Sequence, residues 1–372
     1  MIDLKEYGFT KYYELKEERY AENGEQPLPG KERPVYARVT AVHRELYQVI
    51  SEYGEGKARM KGSVLNKAVS SEDLPAVGDF VLLRYNPQGD SQILKICSRK
   101  SKFSRPDYSG HGQGYVKTIL EQVVAANFDY VFILASLNYD FNVNRILRYV
   151  TAAWESGGVP VILLTKADLA EDYSDQLEAV REQAIGVEVI VISSVSRIGL
   201  DRLPQLMKPG KTVVFLGSSG VGKSTLVNAL AGEELMKVNS IREDDSKGRH
   251  TTTHRQLIKL KNGALIIDTP GMRELGMWDV GDGLGETFSD IEELFDLCRF
   301  SDCSHTNEPG CAIRAALGDG ILERSRWTNY LRIKGEAKFT EDKAAYLREK
   351  NEFFKQVNKA AKQRNKHRGK RT

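Results

Sequence analysis

Two kinds of hydrophobic pattern divide the chain. Between residues 34 and 99 the apolar runs are short, at 35–42, 46–50 and 79–85, with turn-forming stretches such as Tyr53-Gly54-Glu55-Gly56 and Pro87-Gln88-Gly89-Asp90 between them. Several short strands in so small a span predict a closed barrel of OB type. From residue 129 the runs become continuous. Residues 129–135, 159–164 and 188–192 are almost wholly apolar, with helical patterns at 143–155 and 174–185 between them. Strands apolar on both faces that alternate with helices predict a parallel sheet covered on both sides. Similar runs return at 212–216 and 264–267.

The flanks read differently. Residues 1–33 carry a polar segment rich in Lys, Glu and Tyr, then Asn23-Gly24 and Pro27-Leu28-Pro29-Gly30, and are read as an extension and linker. Residues 100–115, with Lys100, Lys102, Arg105, Gly110, Gly112 and Gly114, are read as a basic flexible connector. The chain ends with Lys355, Lys359, Lys362, Arg364, Lys366, Arg368, Lys370 and Arg371, and no acidic residue follows Glu352. Such a block repels itself and suits a polyanionic partner. No apolar stretch has the roughly 18–20 residues needed to span a bilayer. Met1-Ile2-Asp3-Leu4-Lys5-Glu6 shows no signal-peptide pattern, so a cytoplasmic location is expected.

The apolar run at 212–216 leads into Gly217-Ser218-Ser219-Gly220-Val221-Gly222-Lys223-Ser224-Thr225, and Leu226, Val227, Ala229 and Leu230 follow as the buried side of a helix. This is the strand–loop–helix setting of a phosphate-binding loop. Its glycines let backbone N–H groups surround phosphate oxygens at a helix N-terminus. Lys223 is expected on the β- and γ-phosphates and Ser224 on Mg²⁺. Downstream, the run 264–267 ends in Asp268-Thr269-Pro270-Gly271. Asp268 there can hold Mg²⁺ through water, and the Gly271 amide can meet the γ-phosphate. Between them lies Gly248-Arg249-His250-Thr251-Thr252-Thr253-His254. A threonine in such a segment can complete the Mg²⁺ shell when triphosphate is bound. Three in a row leave the choice open, and Thr252 is the one taken here.

Upstream, Thr165-Lys166-Ala167-Asp168 follows a buried strand and matches Asn-Lys-x-Asp with Thr for Asn. An Asp at this place accepts from guanine N1–H and the 2-amino group, which adenine lacks, while Lys166 lays its stem along the base. Ser193-Ser194, at the next strand end, matches the loop whose amides meet the guanine carbonyl. The base-reading loops therefore precede the phosphate loop, which is itself preceded by about 215 residues. That is a circular permutation of the usual order.

Cys97 stands alone and is read as a small buried residue. Cys298-x4-Cys303-x-His305-x5-Cys311 supplies three thiolates and an imidazole, a closed set typical of one structural Zn²⁺. The permuted loops together with this spacing resemble the bacterial ribosome small-subunit-dependent GTPase A family (RsgA, also called YjeQ or YloQ), from near residue 34 to about residue 330. Asn127-Phe128-Asp129 and the 248–253 segment also fit. Departures are the long N-terminal extension and Thr165 in place of Asn.

The reading is a multidomain chain. It has an N-terminal all-β OB-type barrel at 34–99 and a circularly permuted α/β P-loop GTPase domain at 116–285. A C-terminal α-helical zinc-binding domain at 286–335 and a basic helix or tail at 336–372 complete it. The resemblance implies GTP hydrolysis on the small ribosomal subunit with rRNA contact, late in its assembly, by a monomer that needs no membrane. Met272 stands where switch GTPases of the Ras type carry a water-positioning Gln. His250 beside the switch threonines can orient the water instead, a role the resemblance also implies, and turnover is expected to be slow until a partner binds. Tyr36, Arg38, Lys57, Arg59 and Lys61 are candidate RNA contacts on the barrel. The same residues also admit two other classes: a P-loop small-molecule kinase, and a zinc-dependent nucleic-acid-binding protein with a structural nucleotide site.

Overall fold

The computed structural model describes residues 1–13, 35–43, 45–62, 73–107, 120–138, 140–236, 255–268 and 281–336. Strands β1 (Val35–His43), β2 (Leu46–Ser51), β3 (Gly54–Met60), β4 (Phe80–Arg84) and β5 (Ser91–Ile96) pair in the order β1-β2-β3-β5-β4, and β4 returns to β1. Only β3 and β5 run parallel. Closure leaves no open edge, and the alternating apolar positions meet inside as Ala37, Val39, Tyr47, Val49, Ala58, Val81, Leu83 and Ile93. This is the OB-type barrel that the short runs predict.

Residues 102–107 correct the connector reading of 100–115. They form β6 (Lys102–Asp107), paired antiparallel with β7 (Leu120–Ala126). Phe103 and Val124 of this hairpin pack into the core with Val131 and Ile267. Residues 108–115 lie outside the described residues.

The second half is a doubly covered sheet. Strands β8 (Tyr130–Ser136), β9 (Val159–Thr165), β10 (Glu188–Val191), β11 (Thr212–Gly217), β12 (Gln256–Lys259) and β13 (Leu265–Asp268) take the order β10-β9-β8-β11-β13-β12. All neighbours are parallel except β12 and β13. On β8 the side chains divide as the continuous run requires. Val131, Ile133 and Ala135 face one core with helices α1 (Val143–Glu155) and α2 (Ser174–Gln183). Phe132 and Leu134 face the other with α3 (Lys223–Ala231). The Asn142 side chain starts α1 by accepting from the Arg145 amide.

Among the described residues, a barrel strand pairs with a sheet strand at one position, Ala41 on β1 opposite Gln256 on β12. Residues 1–13, expected as part of an extension and linker, reinforce that seam as a brace; 14–34 lie outside the described residues. Phe9 and Tyr13 pack on Phe80, Leu82 and Cys97 of the barrel side. Tyr13 Oη donates to Asn127 Oδ1, and Lys259 of β12 reaches Glu6 at 2.6 Å. Gly8 has φ +80°, and a Cβ there would lie 2.7 Å from the Gly210 carbonyl, so only glycine allows this approach.

Arg38 fastens the same junction and is not an RNA contact. It is fully buried, and its guanidinium donates to the carbonyls of Tyr7, Gly78 and Asn127 and to Thr212 Oγ1. Burial pushes its pKa down to about 10. One side chain thus ties the N-terminal segment, the barrel and the first residue of β11.

At the other end, α4 (Gly281–Thr287), α5 (Ser289–Phe295), α6 (Ala312–Gly318) and a helical segment at 324–336 form an α-helical unit on α1 and α2. Gly283 approaches α1 so closely that a Cβ would sit 2.3 Å from the Thr151 carbonyl. Arg326, 3% exposed, forks onto Asp290 and donates to the carbonyls of Thr287 and Gln183, the last residue of α2.

Candidate functional site

β11 lies inside the parallel part of the sheet, between β8 and β13, and its carboxyl end opens into the 217–222 loop before α3 begins at Lys223. Gly217, Gly220 and Gly222 have φ of 156°, 70° and 102°. A Cβ at 217 would stand 2.8 Å from the Leu134 carbonyl of β8, so the loop leaves the sheet only as glycine. Ser218, Ser219, Gly220, Gly222, Ser224 and Thr225 remain partly or wholly solvent-facing, whereas Val221 is buried as the loop's anchor. Lys223 Nζ donates to Asp268 Oδ1 at 2.9 Å. The phosphate loop and the end of β13 therefore converge as the two motifs demand. Ser224 and Asp268 are hard oxygen donors suited to Mg²⁺.

The residues expected to read a base sit at the carboxyl end of β9 and beyond β10, beside that loop. Thr165 is buried, and its hydroxyl donates to the Val221 carbonyl at 2.7 Å. It ties the end of β9 to the 217–222 loop. Lys166 adopts a left-handed conformation, φ 62°, which opens the short 3₁₀ turn Ala167–Leu169. Ser193 is fully buried and donates from Oγ to Asp168 Oδ1, and the Ser196 amide donates back to Ser193 Oγ. Ser193 therefore aims the carboxylate, while Ser194 lies partly exposed in the following turn. A further contact was not visible in the sequence: Ser218 Oγ donates to Asp140 Oδ2, and Arg145 pairs with Asp140. Asp140 lies in the loop between β8 and α1, where the chain pattern carries no phosphate-site signature. Arg326, joining the C-terminal unit to α2, carried no motif either. His250, Thr252 and Gly271 lie outside the described residues.

The four metal candidates come together. Ligand atoms of Cys298, Cys303, His305 and Cys311 all lie within 4.8 Å of one another. His305 Nδ1 is 3.6 Å from Cys298 Sγ and 3.7 Å from Cys311 Sγ. Ideal tetrahedral bonds to Zn²⁺ put sulfur and nitrogen about 3.6 Å apart. The set fits zinc. Burial lowers the His305 pKa, which keeps the imidazole neutral as a ligand must be. The ring stacks on Phe295 at 4.4 Å with Trp327 at its edge, and the Ala312 amide donates to Cys298 Sγ. These contacts orient the donors from outside the cluster.

The parallel sheet with a phosphate-loop motif after β11, and candidate base-reading loops earlier in the chain, define a circularly permuted nucleotide-binding protein of the GTPase kind. The profile of the RsgA GTPase family matches residues 96–278. Small ribosomal subunit biogenesis GTPase RsgA 2 of Listeria monocytogenes is 48% identical over 91% of this chain and 90% of its own. A protein of that name from Lactiplantibacillus plantarum is 44% identical over 91% and 90%. The crystal structure of YjeQ from Thermotoga maritima matches with TM-score 0.60 and 25% identity, over 81% of this chain and 97% of that one. YloQ, described as a circularly permuted GTPase, matches with TM-score 0.60 and 26% identity, over 86% and 99%. The chain belongs to the RsgA GTPase family and is a GTP-hydrolysing enzyme. Membership implies use of Mg²⁺ and sets the kinase reading aside. Among the described residues no helix is long and apolar enough to cross a membrane.

Proposed function

We propose that this protein hydrolyses GTP on the small ribosomal subunit, touches its rRNA, and acts late in that subunit's maturation. The observation that carries the reading is the convergence of base-reading and phosphate loops at one sheet end in permuted order. It occurs in a chain 48% identical to a relative named as a small ribosomal subunit biogenesis GTPase. A division into barrel, GTPase and zinc-binding domains, with β6 in the GTPase domain and α4 in the zinc-binding one, a cytoplasmic location and a monomeric state belong to the same proposal.

Asp168, aimed by Ser193, takes the guanine N1–H and 2-amino hydrogens, and Lys166 covers the base with its stem. Adenine would leave that carboxylate unpaired. Amides at Ser193 and Ser194 meet the guanine carbonyl. The 217–225 amides surround the phosphates, and Lys223 exchanges Asp268 for phosphate oxygens. Ser224, Asp268 and Thr252 are the donors assigned to Mg²⁺, which when bound neutralises charge on the triphosphate. The Gly271 amide meets the γ-phosphate and His250 orients the attacking water. Cys298, Cys303, His305 and Cys311 hold one Zn²⁺, which staples the C-terminal unit.

The test is GTPase kinetics with and without purified small subunits, for wild type and His250→Ala. Stimulation by the subunit in wild type, lost in the variant, is expected. Equal wild-type rates with and without subunits would overturn the partner, and retained stimulation in the variant would remove His250.

A further inference from the structure

A second anion-binding feature lies away from the nucleotide, where α1 meets the helical segment 324–336. Arg148, one turn beyond Arg145 on α1, donates from Nη2 to Glu336 Oε1 at 2.6 Å. Arg332, one turn before Glu336, holds its Nε 4.0 Å from the same oxygen, beyond hydrogen-bonding reach. Two guanidinium groups thus face one carboxylate. Among the described residues, Arg148 Nε, Arg332 Nε and Arg332 Nη2 are shut off from solvent and have no hydrogen-bond partner, while the two side chains are 43% and 34% exposed and so open to a ligand. A donor left this way calls for a partner such as an ion. Among Arg148, Arg332 and Glu336 the balance of charge is positive, and planar guanidinium forks suit the several lone pairs of a phosphoryl group.

We propose that Arg148 and Arg332 form a phosphate-binding site at this junction, taking an oxyanion from an RNA backbone or from free phosphate. The two arginines belong to different units, so one bound phosphate would bridge the helix that flanks the nucleotide sheet and the zinc-bearing unit. From Glu336 the sequence runs on to its basic end, where eight Lys and Arg residues follow Glu352 with no acidic one. A polyanion is therefore matched to this end of the chain. The RNA source rests on the rRNA-binding reading above, and the free-phosphate source does not.

The test uses the full chain, saturated with Mg²⁺ and a non-hydrolysable GTP analogue so that the phosphate loop is filled. Inorganic phosphate is titrated against chloride at matched ionic strength, with the melting temperature as readout. Wild type should gain stability with phosphate, and Arg148→Gln and Arg332→Gln should each lose half or more of the gain. Glu336→Gln, which removes the competing carboxylate, should enlarge it, and this variant serves if an arginine variant fails to fold. In the second arm a short single-stranded RNA is bound across salt concentrations. Loss of one phosphate contact should make the log K against log salt slope shallower by about 0.7. A phosphate response with an unchanged slope assigns the site to free phosphate, and a changed slope assigns it to RNA. The proposal falls if the phosphate response and the slope are the same in all four proteins.

Discussion

Thr165→Val removes one hydroxyl and keeps the shape of the side chain. In wild type that hydroxyl donates to the Val221 carbonyl at 2.7 Å and more weakly to the Ala135 carbonyl at 3.4 Å. Thr165 and Val221 are both buried, so water does not replace the lost donor. An acceptor deprived of its partner in such a place costs about 1–3 kcal/mol. The Val221 peptide borders Gly222 and Lys223, whose orientation decides where the loop amides point. If the whole cost falls on the loop, nucleotide affinity drops about 5- to 150-fold, at about 1.4 kcal/mol per tenfold. Titration with fluorescent GDP in Mg²⁺ reads this directly, and melting without nucleotide reads any cost to the fold. Thr165→Asn, whose amide can also donate to the carbonyl, should recover most of the affinity. The reasoning is refuted if Thr165→Val binds GDP within twofold of wild type while its melting temperature falls.

Three further outcomes are expected. Asp168→Asn should weaken GTP turnover at least about 100-fold, because two hydrogen bonds to a charged acceptor are lost. It should raise turnover of xanthosine triphosphate, whose 2-oxo group accepts from the new amide; side-by-side kcat/KM values decide. Cys311→Ser should lower zinc content from one per chain and raise hydrogen exchange across residues 289–336, since Phe295 and Trp327 pack on the His305 ring. Asp129 tests the pH dependence. Burial raises its pKa, but Lys100, the Thr212 amide and Lys211 outweigh burial and hold the carboxyl below its usual 3.8. A depressed carboxyl stabilises the fold above the unfolded value and loses that contribution as pH falls through the folded one. Asp129→Asn should therefore melt lower than wild type at pH 7, with the gap closing below about pH 4.

The phosphate loop and the zinc set were legible because their chemistry fixes residue type and spacing together. Three glycines at positive φ, a lysine and a hydroxyl leave few other sequences that work, and four soft donors in one short segment are equally demanding. Asp168 was legible as a candidate base reader, but Ser193 as the group that aims it was not, since a buried hydroxyl looks like any other serine in sequence. Arg38 misled for a plain reason. A positive residue on a short strand normally faces water, and only the meeting of Tyr7, Gly78, Asn127 and Thr212 around it makes burial tolerable. β6 was missed because half of Lys102–Asp107 is charged and its partner strand starts only at Leu120. Residues 1–13 read only as an extension because most of their apolar partners, Phe80, Leu82 and Cys97, lie more than 65 residues away in the chain, and Tyr36 is the one nearer by.

The single pairing of Ala41 with Gln256 has a practical consequence for anyone who treats the barrel as a cassette. A chimera cut cleanly at residues 34 and 99 would carry Arg38 into a host that lacks its acceptors at Tyr7, Asn127 and Thr212. It would also strip the aromatic cover from Phe80. A transplant that works must move residues 1–13 with the barrel and keep glycine at the position of Gly210, against which Gly8 closes. The exchangeable unit is thus discontinuous, drawn by what touches Arg38 rather than by where the strands begin and end.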